Sequence, residues 1–178
     1  MKRIKSTLAS AKQVGFTLVE LMVALAAGSV LISGVGFAYL TISKTIDTSK
    51  QLENAQEVIR FSAEVYGRSF KQTLSEPVIA NGTSVSVTQT IAGSTACDGS
   101  KPAVPFTEVF TFEAPNLLCD SGSGEEVILT GVAAMNIARN GNLMSVTVTP
   151  DDFEVDAWAN GFRLDFALTG VILTEAMK

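Results

Sequence analysis

Histidine is absent from the 178 residues, which removes the commonest general base and metal ligand together. Only two cysteines occur, so a zinc site built from Cys and His is excluded. Basic residues are few, 13 against 18 acids, and four of them (Lys2, Arg3, Lys5 and Lys12) stand in the first 15 residues, which hold no acid. The remainder carries nine basic and 18 acidic residues, a formal charge of −9. Phosphate contacts need clustered Lys and Arg, so this acidic body argues against nucleic acid as a partner. Without histidine, Glu125, Glu126 and the several serines form no recognisable nucleophile–base arrangement. Gly93, Gly99 and Gly122-Ser123-Gly124 lack the lysine and following hydroxyl of a phosphate loop. Asp151, Asp152, Glu154 and Asp156 offer oxygen ligands of the kind calcium takes, but EF-hand spacing is missing and a solvated loop is the favoured reading. The expected protein is not an enzyme and has no cofactor.

What the chain has in excess is hydrocarbon, and the excess is local. Hydrophobic residues make up 47% with a mean hydropathy of +0.31, concentrated between Phe16 and Ile42. That run exceeds the roughly 7–15 residues of a signal-peptide core and suffices for the roughly 20 needed to cross a bilayer. Basic residues ahead of it favour a cytoplasmic N-terminus with the rest of the chain outside. Inside the run stands one carboxylate, Glu20, with no charged neighbour between Lys12 and Lys44. A charge placed in hydrocarbon is costly, and such residues are functional by default.

The helical pattern continues beyond the apolar run. Leu52, Ala55, Ile59, Ala63, Tyr66, Phe70 and Leu74 recur at steps of three or four, with Glu53, Glu57, Arg60, Glu64, Arg68 and Lys71 on the other sides. One helix is therefore expected from about Phe16 to about Leu74, ended by Pro77 and the Asn81-Gly82 pair. Gly28, Gly34 and Gly36 weaken its apolar half, by about 1 kcal/mol each relative to alanine, or serve close helix packing. After Pro77 the pattern turns to strands. TSVSVTQTI alternates Val85, Val87 and Ile91 with polar residues, EVFTF and EVILTGV follow, and Asn140-Gly141 joins two strand-like runs as a hairpin. FRLDFALTGVIL opens with strict alternation at 162–166. Cys97 and Cys119, with 21 residues between them, read most simply as one disulfide contributing roughly 3 kcal/mol; two unpaired buried thiols are the alternative. The fold class expected is α+β, the amphipathic half-helix lying across an antiparallel sheet.

GFTLVE at 15–20, followed by an unbroken apolar helix, resembles the N-terminal signature of type IV pilins and type II secretion pseudopilins over about residues 1–45. The resemblance implies a pilin-like fold and a leader of residues 1–15, cut after Gly15 by a membrane prepilin peptidase that also N-methylates Phe16. It implies a transmembrane and assembly helix at 16–43, an extracytoplasmic head at 44–178, and a role for Glu20 in subunit assembly. Partners implied are the peptidase, other major and minor pilins, and the bacterial inner membrane. Physical chemistry agrees: glycine lets a protease approach the backbone, and cleavage creates an ammonium at Phe16, one turn from Glu20. Glu20 of one subunit can then pair with the terminus of a neighbour, a contact that penalises wrong register.

Further along, IRFSAEVYGRSF at 59–70, FTFEAPNLLC at 110–119, VILTGVAAMNIA at 127–138 and DAWANGFRLDFAL at 156–168 look like PilW-type minor pilins and the related J-type pseudopilins. Near Gly34 to Phe37, where major pilins often carry a helix-breaking proline, this chain has glycines. The expectation is a minor pilin that primes or caps a type IV pilus. The alternatives are a J-type pseudopilin of a secretion system, or an adhesive subunit at a pilus tip.

Overall fold

The computed structural model of the chain describes residues 15–151 and 160–177. It divides into two compact units, Met1–Asp47 and Thr48–Lys178. A single helix, α1 (Leu18–Gln72, 55 residues), belongs to both. No proline interrupts it. At 1.5 Å per residue it measures about 80 Å.

In the first unit none of the apolar stretch of α1 is buried within the chain, and its richest 18-residue window has a mean hydropathy of 2.1. Four of its hydroxyls bond locally to the helix backbone. Ser29 donates to the Ala26 carbonyl, Ser33 to Ser29, Thr41 to Phe37 and Thr45 to Thr41, all at 2.8–2.9 Å. Such back-bonding lets serine and threonine sit in hydrocarbon without orphaned donors.

In the second unit two antiparallel sheets surround the last turns of α1. One is a five-stranded meander in sequence order: β1 (Val78–Ala80), β2 (Ser84–Gln89), β3 (Phe106–Glu113), β4 (Asn116–Asp120) and β5 (Glu125–Thr130). The other holds β6 (Val132–Asn140), β7 (Leu143–Pro150) and β8 (Phe162–Ala167), followed by α2 (Thr169–Ala176). Both sheets share one core with the helix. Val58, Val65, Tyr66 and Phe70 of α1 meet Val85 and Val87 of β2, Phe110 of β3, Leu117 of β4, and Ile137, Met144, Val146 and Val148 of the smaller sheet. Tyr66 is fully buried, with ring centroids 5.5 Å from Phe70 and 4.7 Å from Phe110. Its hydroxyl donates to the Met135 sulfur at 3.2 Å, and burial pushes its pKa far above the ordinary tyrosine range.

The long helix, the antiparallel sheets and the α+β class agree with the sequence reading; several details differ. The buried stripe of α1 is Ala55, Val58, Ser62, Val65, Tyr66, Ser69 and Phe70, while Leu52 and Leu74 remain 47% and 42% exposed. Close approach explains the small residues on this face. A Cβ at Gly67 would lie 3.3 Å from the Phe166 ring of β8. The Asn81-Gly82 pair does not end α1. It turns β1 into β2, with φ of 58° and 69°, and Ala80 pairs with Ser84. The helix ends at Gln72 because the Thr73 hydroxyl accepts the Ser75 N–H at 3.1 Å and donates to the Thr88 carbonyl at 2.8 Å. The second hairpin is shifted by one residue: Asn140 pairs with Leu143, so the loop is Gly141-Asn142. The run at 162–173 is strand only to Ala167, and its continuous apolar end forms α2.

Gly170 seats α2 against the end of α1, since a Cβ there would collide with the Thr73 carbonyl. Gly170→Ala therefore sets two effects against each other. Helix propensity favours alanine by about 1 kcal/mol, whereas forcing a methyl into packed backbone costs about 1–3 kcal/mol. Net destabilisation is expected, read as a lower denaturation midpoint in detergent; a raised midpoint would show that α2 does not pack as described.

Candidate functional site

The candidate site is the start of α1. Gly15, Phe16 and Thr17 precede the first helical residue, Leu18. Thr17 is the N-cap: its carbonyl accepts from the Leu21 N–H at 3.2 Å, and its hydroxyl accepts from the Glu20 N–H at 3.3 Å. Thr17-Leu18-Val19-Glu20 thus has the spacing of a capping box, with the acid at the third helical position. Glu20 is exposed in the first turn, where the helix dipole favours a negative charge.

Capping fixes where the helix begins, and so leaves Gly15 and Phe16 outside it. Phe16 is 83% exposed, and a Cβ built on Gly15 meets nothing within 4 Å. The Gly15–Phe16 bond therefore lies in open, non-helical backbone, the form a protease active site can take up. Residues 1–14, which complete the expected leader, lie outside the described residues. Gly28, Gly34 and Gly36 likewise have open space around them, so nothing within the chain requires glycine at those positions.

The remaining sequence candidates are placed elsewhere. Cys97 and Cys119 form a disulfide with Cα atoms 6.1 Å apart, far along the chain from Glu20. Asp151 is exposed at a turn after β7, while Asp152, Glu154 and Asp156 lie outside the described residues. Among the described residues no group of three or more Cys, Asp or Glu is placed to hold a metal ion.

One polar cluster has no signal in the sequence. Glu108 of β3 is fully buried, and its carboxylate accepts from the Gln89 side chain and the Cys97 backbone N–H, both at 2.8 Å. Gln89 also donates to the Ser69 carbonyl of α1 at 3.0 Å. Burial pushes the Glu108 carboxyl above the usual range, with Gln89, the Cys97 N–H and the Arg68 charge opposing. The cluster ties helix, sheet and disulfide loop together. Alternation along EVFTF places Glu108 on the same face as Phe110, but only tertiary placement shows that this face is fully covered.

The start of α1 has a counterpart among known families. The prokaryotic N-terminal methylation motif matches residues 11–36. This chain carries a prepilin-type signature. Such a motif implies processing by a prepilin peptidase and association with a membrane, and it supports a type IV pilin-like structural subunit over an enzyme. The apolar helix that follows is long enough to cross a bilayer. No curated protein and no solved structure gives a match to the chain.

Proposed function

We propose that the chain is a minor pilin that primes or caps a type IV pilus. Prepilin peptidase removes residues 1–15 and methylates the new amine at Phe16. Residues 16–43 hold the subunit in the bacterial inner membrane with the N-terminus cytoplasmic, and later pack among other pilins. Residues 44–178 form the head outside the cytoplasm. The observation that carries this reading is the exposed Gly15–Phe16 bond, lying inside the methylation motif and just before a helix whose apolar first stretch is not buried within the chain. Mass spectrometry of the mature N-terminus tests it. A chain starting at methylated Phe16 is expected, and an unmodified or uncleaved terminus would exclude the reading.

In this account Glu20 places its charge in the first turn of α1 and pairs with a neighbour's terminal ammonium. Glutamine keeps the length and polarity of the side chain but loses the charge. Leaving an apolar-buried ammonium without its partner costs about 3–5 kcal/mol. Glu20→Gln is accordingly expected to be cleaved normally, retain its helix, and enter filaments at a level reduced about tenfold or more. Undiminished incorporation, measured by immunoblot of sheared filaments, would remove the pairing role.

A further inference from the structure

The five-stranded sheet ends at β5, whose outer edge has no strand partner among the described residues. An edge of this kind offers unpaired N–H and C=O groups to any extended segment. Two features blunt it. The register passes from Leu117↔Leu129 to Leu118↔Val127, leaving Ile128 as the extra residue of a bulge. Glu126 stands opposite Cys119, which is buried, so an acid occupies a position on the face that elsewhere turns to the core. Bulges and inward charges are how natural sheet edges resist indiscriminate pairing.

The acid at the edge has company. Beside β5 lies an open groove of about 380 Å³, lined by Phe61, Glu64 and Arg68 of α1, Asp98 of the disulfide loop, and Glu126 and Val127 of β5. Acidic residues from three separate elements, Glu64, Asp98 and Glu126, therefore border it. The one cation in this lining, Arg68, donates to the Ala96 carbonyl at 3.1 Å. Glu64 shares Arg60 at 3.7 Å on the helix surface, and Asp98 accepts from the Ser100 N–H and the Ser121 hydroxyl, so the groove keeps an excess of negative charge. Val127 is 53% exposed at the same place, an apolar contact next to the acids.

We propose that the β5 edge and this groove form an interaction surface for an extended segment of a partner protein that carries a basic side chain. The segment adds to β5 as a sixth strand, its cation lies among Glu64, Asp98 and Glu126, and an apolar neighbour covers Val127. The carboxylates that accept such a segment repel one that is acidic, so selectivity arises from exclusion as well as attraction. The surface lies wholly within the unit Thr48–Lys178 and does not depend on how the N-terminus is processed.

The test titrates the full chain in neutral detergent micelles with a blocked octapeptide of alternating lysine and valine, using empty micelles as blank. A glutamate-for-lysine version is run beside it. Saturable binding of the lysine peptide is expected, with slower hydrogen exchange at β5 amides and weakening on added salt. Glu126→Lys, at an exposed position, is expected to weaken binding about tenfold or more while leaving the circular dichroism unchanged. Absence of saturable binding, equal binding of both peptides, unchanged β5 exchange, or full affinity in Glu126→Lys would each overturn the proposal.

Discussion

Gly15→Val is expected to give a protein that keeps its leader and stays out of filaments. The structure makes the experiment clean. Gly15 lies outside α1, and a Cβ there would meet nothing within 4 Å among the described residues. The Thr17 cap that starts the helix is untouched. Nothing among the described residues requires glycine at this position, so a failure of processing would report the peptidase's need for bare backbone there. Intact-mass measurement separates the outcomes, since retention of residues 1–15 adds the whole basic leader. Normal cleavage of Gly15→Val would show that backbone access is not what the glycine supplies.

The largest effect on stability is expected at Tyr66. Its ring sits at the junction of α1, the five-stranded sheet and β6, fully buried between Phe70, Phe110 and Met135. Removing a buried aromatic ring costs about 3–5 kcal/mol in lost transfer energy and residual cavity. Whole domains are stable by only about 5–15 kcal/mol, so Tyr66→Ala brings the head close to unfolding. Tyr66→Phe keeps the ring and loses a hydrogen bond to a weak sulfur acceptor, for which about 1 kcal/mol is an upper expectation. Denaturant midpoints of the two variants separate ring from hydroxyl. Similar losses in both would mean that the ring is not the junction described.

The sequence was most legible where one physical signal acted alone. An uninterrupted apolar run, free of proline, leaves helix as the only structure able to satisfy its backbone in a bilayer, and α1 is that helix. The Asn140-Gly141 signal identified a hairpin, though the loop itself fell one residue later. Where several elements converge, legibility declined. Ser62 and Ser69 read as polar but lie buried, because the helix packs against two sheets. β1 is three residues long, too short to show a period, and β4 is a five-residue strand just after Pro115. The run at 168–173 is apolar without alternation, a pattern shared by buried strand and buried helix, and Gly170 against the Thr73 carbonyl accompanies the helical outcome. At the candidate site the residues were readable from GFTLVE, while the role of Thr17 as N-cap needed the cap geometry. Glu108 was invisible as a buried group because its partners come from residues 20 positions or fewer away in sequence yet on different elements.

The disulfide closes a covalent ring from Cys97 to Cys119, and β3, the central strand of the larger sheet, lies entirely inside that ring. The bond thus ties the loop ahead of β3 to the strand beside it. A chain that has lost every other contact still carries Phe110 and Glu108 on a short tethered loop, close to the β4 residues they must meet again. The central strand of the sheet is never far from the neighbour it pairs with.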